Sequence, residues 1–449
     1  MAISISSAVA QASEQPVINA AARLGNPHAT WPFLPPSSNV TDRKALAFAE
    51  SKYNQVALTA TEKNEFAEYL ALSTSCHALD GWRYLSQAGL AMLRGARNEA
   101  LHLAYYAELR GALSLLAGSG IGILNRKHFA INGAGDVVWI KMLNTHVAAW
   151  EALAGWARST TNAKRVVEAL VVFGFTGLEW AEACSAVGSP DAIAQHWLQN
   201  WSIDLNILMN DKDARNEASY RPDLRVPAMN SLSRKELAIV RDVNAACNPI
   251  AYGAFEEVDI ALLHDLCLKA CEVRFLPPAQ DRLHRMLSEV FRWLTVIQGI
   301  NSGDTLRMIR AVKRAPLSSG GSLIAAADGI NSEPIAVFSR AFLLLRLASA
   351  LKRRFWMNVN GLVHGGVARW QGKLLHHYGE HSNLWERANA PTDFMQLDAD
   401  RVTAEDDLDK WMKDNQEKPF SPYRLWKEQG PALTELCRFE RIGILAVAQ

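Results

Sequence analysis

Residues 59–95, TATEKNEFAEYLALSTSCHALDGWRYLSQAGLAMLRG, decide the fold class. Apolar residues recur there at three- and four-residue spacing and no proline interrupts them, which predicts one long helix or two closely joined ones. The next stretch, residues 97–124, reads RNEALHLAYYAELRGALSLLAGSGIGIL. Its Leu101, Ala104, Tyr105, Glu108 and Ala112 keep the helical period, and Ala, Leu, Glu and Arg favour helix at most positions. Glycines 118, 120 and 122 then close it as a helix end and tight turn. Upstream, TDRKALAFAESKYNQVAL starts a further helix behind a Thr41 cap.

Downstream, helices are expected over 145–156, 163–171 and 190–208, over 233–314 with an interruption at FLPP (275–278), and over 335–356. A last apolar helix is expected in PALTELCRFERIGILAV, 431–447. The best β candidate is NRKHFAINGAGDVVWIKM, where Val-Val-Trp-Ile follows a Gly-Ala-Gly-Asp turn signal. The expected fold is therefore all-α: a multi-helix bundle with two helical domains and at most a small β element near 131–142. Composition shifts divide it into a flexible arm over 1–40, a helical domain over 41–225, a second helical segment with a linker over 226–320, and a C-terminal helical domain over 321–449. Within this division APLSSGGSLIAAADGINSEP (315–334) reads as linker and Arg221–Asn230 as a boundary loop. No repeat of 20–50 residues recurs, which disfavours a solenoid.

The chain has 449 residues, 49% hydrophobic and 21% charged, enough for packed interiors. Its 47 Lys+Arg and 46 Asp+Glu leave a net charge of +1, against the basic excess of dedicated duplex binders. Six cysteines with no CxxC spacing exclude a zinc ribbon and a disulfide framework. Cys267 and Cys271, one helical turn apart behind His264, read as small buried apolar residues. No Lys or Arg precedes Arg23, so no secretory signal is expected. The apolar run from Ala112 to Leu124 is too short and too glycine-rich to span a bilayer. A cytoplasmic protein without a membrane partner is the expectation.

No phosphate loop, GxGxxG fingerprint, GxSxG elbow, HExxH pair or EF-hand loop occurs. His376, His377 and His381 in LLHHYGEH straddle Gly379 and read as a surface loop rather than a metal site, so neither metal nor cofactor is expected. A third, outlying reading would make those histidines the centre of a metal-dependent hydrolase. The pentapeptide ARNEA occurs twice, at 96–100 and 214–218. The first copy continues to His102, giving Arg97-Asn98 and a histidine in RNxxxH spacing. The second places Tyr220 where the histidine would stand. Cleavage of RNA by its own 2′-hydroxyl needs a group that moves a proton, which suits histidine, and a cation that holds the phosphate, which suits arginine.

Helices of the AYYAELRGALSLL type beside an RNxxxH motif resemble the HEPN superfamily of nucleotide-binding and ribonuclease domains, over about residues 73–222. The helix from His102 is similar to the first long HEPN helix, and Arg215-Asn216 in DARNEASYRP resembles the catalytic start of a later one. The resemblance implies a component of a bacterial anti-phage defence or toxin system that cleaves or binds RNA without a metal. It implies Arg215 on the phosphate, Asn216 orienting it and Tyr220, or a histidine from elsewhere, handling the proton, with Arg97 and His102 as the second candidate pair. It also implies a second copy of the chain or another protein as partner. Since Tyr220 departs from the family's histidine, the alternative is a catalytically inactive helical scaffold, with the Trp-rich stretches HWLQNWSIDL and LDKWMKDNQEKPFSPYRLW as contact surfaces. Arg353, Arg354 and Trp356 form the basic-plus-aromatic mix of a nucleic-acid groove, and Tyr105-Tyr106 offers one ring for stacking and one for the core.

Overall fold

The computed structural model describes residues 2–24, 45–55, 57–184, 189–200, 205–220, 234–247, 255–274, 280–329, 332–356, 392–415 and 421–439. Three short helices, α1 (Ile5–Gln11), α2 (Gln15–Leu24) and α3 (Ala45–Lys52), precede two long ones, α4 (Ala60–Leu93) and α5 (Arg97–Gly118). A meander of β1 (Ile121–Gly122), β2 (Phe129–Ile131) and β3 (Val137–Trp139) follows. Then come α6 (Thr145–Ala157), α7 (Thr160–Ala169), the hairpin β4 (Val171–Val172) and β5 (Phe175–Thr176), α8 (Gly177–Cys184), α9 (Pro190–Asn200) and α10 (Leu205–Tyr220). The second half comprises α11 (Arg234–Ala246), α12 (Glu256–Arg274), α13 (Gln280–Arg292), α14 (Ser302–Arg314), α15 (Ser319–Ala327), α16 (Pro334–Trp356), α17 (Thr392–Asp414) and α18 (Pro422–Leu436). The fold is all-α with small β elements.

Residues 60–93 form one helix rather than two. Thr59 caps it through the Glu62 N–H, and the Glu62 carboxylate returns a bond to the Thr59 N–H. At its other end Gly95 takes φ 74°, and the N–H groups of Ala96 and Gly95 reach the carbonyls of Ala91 and Met92, a Schellman stop. α4, α5 and α16 then form the central layer. Gly111 lies against the Leu344 backbone, and a methyl group at Gly81 would overlap Leu345, so small residues let these helices approach. α16 is apolar and long enough to cross a bilayer, but 89% of that window is buried inside the protein, which makes it a core helix.

One apolar core runs from Ile5 through α4, α5, α12 and α16 to Phe439, so side-chain packing crosses the divisions expected at 225/226 and 320/321. A smaller core joins Val17, Phe48, Phe66, Phe129 and Trp139, with Phe66 edge-on to both Phe129 and Trp139.

Three expectations are corrected. The front of the arm expected over 1–40 is folded: Ser4 caps α1, Ile3 bridges to Ile140, and Val17, Ala20 and Ala21 are buried. Ser13 donates to the Ile131 carbonyl while Gly120, at φ 88°, lies so close to Ser13 that no side chain fits between them. The alternating Ala, Ile and Val of this segment supply the apolar face that composition alone disguised. Second, the linker expected over 315–334 contains α15, capped by Ser318 and pressed onto α12 through Gly320. Its glycines serve close packing rather than flexibility. Third, β4 and β5 form a second β element, turned by Phe173 (φ 55°) and Gly174 (φ 83°).

The expected strands near 131–142 pair antiparallel, Phe129 with Trp139 and Ile131 with Val137. Cys267 and Cys271 are buried, and Trp197 of HWLQNWSIDL is buried with its indole N–H on Asp265, so it is core rather than contact surface.

Candidate functional site

α5 and α10 lie side by side, and this contact joins the two ARNEA copies. On α5, His102, Tyr105 and Tyr106 fall at i, i+3 and i+4, the spacing that stacks side chains on one helix face. On α10, Asp211, Arg215 and Ser219 do the same at i, i+4 and i+8. His102 Nδ1 and Ser219 Oγ are 2.7 Å apart. The Arg215 guanidinium lies over the rings of Tyr105 and Tyr106, 5.1 and 5.2 Å from their centroids. His102 packs on Tyr106 at 4.9 Å, and Tyr84 of α4 stacks on Tyr106 at 5.6 Å.

α6 contributes His146, half-buried near its start. Its Nδ1 is 2.8 Å from the Tyr105 hydroxyl, and its Nε2 is 3.2 Å from Arg215 Nη2. A guanidinium only donates, so Nε2 must accept and His146 is neutral with its proton on Nδ1. Burial first, then Arg215 and Lys212, hold His146 below the ordinary histidine range. His102 is lowered as well, by burial and then by Arg215. Burial pushes the Tyr105 hydroxyl far up, which keeps it un-ionised.

Beneath this layer a second cluster fixes the helices. Arg340 of α16 makes a bidentate pair with Asp211 at 2.9 and 2.8 Å and donates to the carbonyls of Ala327 and Gly329 at 3.0 Å. Glu108 lies 3.6 Å from Arg340 and is wholly buried. Two ionised carboxylates beside one guanidinium in a dry site repel each other. Burial and the Asp211 charge push Glu108 well above the usual carboxylate range, so it is a neutral acid and can donate to Asp211. Asp211 and Arg340 therefore cancel, and Glu108 adds no charge.

Arg215 is the remaining charge. It is 5% exposed, its Nε finds no partner, and among the described residues no carboxylate forms an ion pair with it. Among the described residues, two aromatic faces and a neutral imidazole surround it. Buried charges are ordinarily paired, because taking a charge out of water is costly. Half-buried His102, Tyr106, His146 and Asn216, with exposed Ser219, form the rim above it.

The remaining predicted residues disperse. Arg97 begins α5, is half-exposed and reaches Glu333 at 3.9 Å, away from His102. Asn216 is next to Arg215, about 100° round the helix, and half-buried. Tyr220 ends α10 and is 78% exposed, so Ser219, one residue before it, is the group that meets His102. Of the adjacent tyrosines, Tyr105 is fully buried and Tyr106 half-buried. Arg353, Arg354 and Trp356 occupy the last turn of α16, and their side chains lie outside the described residues, as do His376, His377 and His381. Among the described residues no group of three potential metal ligands converges. Sequence reasoning missed His146 and Tyr84, which stand in no motif spacing with Arg215 and join it only through the packing of α4 and α6, and it missed Ser219, which the i+4 spacing on α10 could have marked.

Comparison with known proteins found no matching family, no matching curated protein and no matching solved structure.

Proposed function

We propose that the rim between α5 and α10 binds the phosphate of RNA and cleaves the strand without a metal, as an HEPN-like component of a bacterial anti-phage defence or toxin system in the cytoplasm. The observation that carries this reading is Arg215: a buried guanidinium with no counter-charge among the described residues, flanked by two histidines held neutral. Arg215 receives the phosphate and stabilises the charge that develops on its oxygens. With Nδ1–H donating to Ser219, His102 keeps a lone pair on Nε2 and takes the proton of the 2′-hydroxyl. The 2′-oxygen bonds to phosphorus and the bond to the 5′-oxygen breaks. The His102 imidazolium then returns the proton to that leaving oxygen, so the products are a 2′,3′-cyclic phosphate and a 5′-hydroxyl. His146 and Tyr105 orient Arg215 from behind.

A second reading is a catalytically silent RNA-binding or scaffold subunit that pairs with another copy or a different protein. The exposed position of Tyr220 favours it, because the residue standing in place of the family's histidine lies outside the cluster that Arg215 and Ser219 join. Labelled single-stranded RNA, with and without EDTA, separates the two. Cleavage that resists EDTA and is lost in His102→Ala and Arg215→Lys supports the nuclease. RNA retained but intact, with binding lost in Arg215→Met, supports the silent binder. RNA neither bound nor cut refutes both RNA readings.

A further inference from the structure

The hairpin formed by α13 and α14 lies outside the site described above. α13 runs into a π-helical turn, Trp293–Ile297, the chain reverses near Gly299 at φ 68°, and α14 returns. Lys313 Nζ and His284 Nδ1, 3.1 Å apart, join the far ends, so the arms are antiparallel. Met286, Leu287 and Val290 of one arm and Met308, Ile309 and Val312 of the other are buried.

The opposite face is segregated in an otherwise neutral chain. On α14 and just beyond it, Leu306, Arg310, Lys313 and Leu317 fall at i, i+4, i+7 and i+11, one stripe about 17 Å long. Six exposed cations share the face: Arg285, Arg292, Arg307, Arg310, Lys313 and Arg314. No exposed residue between 284 and 317 is acidic; the two half-buried acids are Asp304, 3.4 Å from Arg307, and Glu289 of α13. Apolar side chains stand at both ends of the stripe. Val296 is 67% and Ile297 68% exposed by the π-helical turn, and Leu317 is 90% exposed beyond α14.

We propose that this face docks the protein on an anionic lipid bilayer. The cations take the headgroup charges, while Val296, Ile297, Leu306 and Leu317 enter the acyl boundary. The charge pattern alone suits RNA equally well, and the aliphatic residues decide between them. No Phe, Tyr or Trp ring is exposed on this face to stack on bases and its exposed imidazole, His284, is held by Lys313, whereas aliphatic side chains lose their contact with water in a bilayer. The contact is peripheral and independent of Arg215.

Co-sedimentation of the full chain with phosphatidylserine–phosphatidylcholine vesicles, phosphatidylcholine vesicles and single-stranded RNA tests the proposal. Of the two kinds of vesicle only those with phosphatidylserine are expected to bind, more weakly as salt rises, and any RNA bound at Arg215 should be unaffected by changes on this face. Arg310→Glu with Lys313→Glu should bind about twenty-fivefold more weakly, at roughly fivefold for each cation removed. Val296→Asp with Ile297→Asp should also lose the vesicles while keeping an unchanged melting curve, since both side chains are exposed. Absence of binding to phosphatidylserine vesicles overturns the proposal. Binding that ignores the Val296 and Ile297 substitutions, or RNA binding abolished by Arg310→Glu with Lys313→Glu in place of vesicle binding, also overturns it.

Discussion

Replacing Glu108 by Gln and Asp211 by Asn separates the two carboxylates that face Arg340. Asp211 is ionised and holds Arg340 through two short bonds in a site where the side chains are 0% and 1% exposed. Asp211→Asn leaves a buried guanidinium uncompensated and should cost about 3–5 kcal/mol. Glu108 is neutral, so Gln keeps its shape and a donor toward Asp211, and near pH 4.5 the cost should be within about 1 kcal/mol. The pH dependence carries the sign. Glu108 has its folded-state pKa raised above the ordinary 4.5, so the fold keeps a proton that the unfolded chain releases. Its contribution is complete below about pH 4.5 and is lost as pH rises toward the folded-state pKa. Wild type should therefore lose about 1.4 kcal/mol relative to Glu108→Gln for each pH unit above about 4.5, until Glu108 itself ionises in the fold. Urea titrations of the three proteins at several pH values measure this directly. A Glu108→Gln variant less stable by about 3 kcal/mol at every pH would refute the reasoning. It would mean that Glu108 is charged and that Arg215 has a counter-charge nearby.

Acid should weaken the fold through His77, whose Nδ1 lies 2.7 Å from Arg110 Nη1 and whose pKa is lowered to about 3 by burial and then by Arg110. The unfolded chain protonates first, so about 1.4 kcal/mol should be lost per pH unit between about 6.5 and 3, and His77→Gln should flatten that slope in chemical denaturation. Gly120→Ala should cost more than about 1 kcal/mol, because φ 88° and the Ser13 backbone both oppose a side chain. It should also release the N-terminal segment to limited proteolysis, and an unchanged digestion pattern would refute that docking. Inorganic phosphate at a hundred times its Kd should stabilise the protein by about 2.7 kcal/mol in thermal melts. Arg215→Met should abolish this effect, and a variant still stabilised by phosphate would place the anion elsewhere.

The long-helix reading of 59–95 was legible because its apolar period runs on without a proline, and the 129–139 hairpin because β-branched residues follow a turn signal. The packed start of the chain was not, since Ala, Ser and Gln carry little apolar signal and Ile3, Ile5 and Val17 find their places only on β2, β3 and α4. Gly320 illustrates the same ambiguity: glycine in a Ser-rich run reads as slack, yet here it admits the backbone of Glu257 and Val258. Arg215 and His102 were visible as repeat members, but their meeting depends on α5 and α10 being neighbours across more than a hundred residues. Periodicity reports which face a residue occupies and says nothing about which helix faces it. That is why His146 had no signal at all and Tyr220 carried one that its exposed position does not support.

Among the described residues three arginines are buried, and their contrast makes the case for Arg215. Arg340 has the Asp211 carboxylate and two carbonyls, and Arg346 has Asp259 at 2.8 and 2.5 Å with the Phe255 ring at 4.8 Å. Where only structure is at stake, these helices supply a bidentate carboxylate within the same layer. Arg215 lies one turn from Asp211 on the same helix, yet that carboxylate turns to Arg340. Two cation–π contacts return about 2 kcal/mol each when desolvated, less than the several kcal/mol that burying a guanidinium costs. The deficit is local and could be removed by one acidic side chain, while an anion arriving from solvent removes it as well. Among the described residues the other two buried arginines are paired and Arg215 is not, and unlike Lys352, another buried cation without a hydrogen-bond partner, Arg215 stands beside two histidines at a rim where a phosphate could reach it.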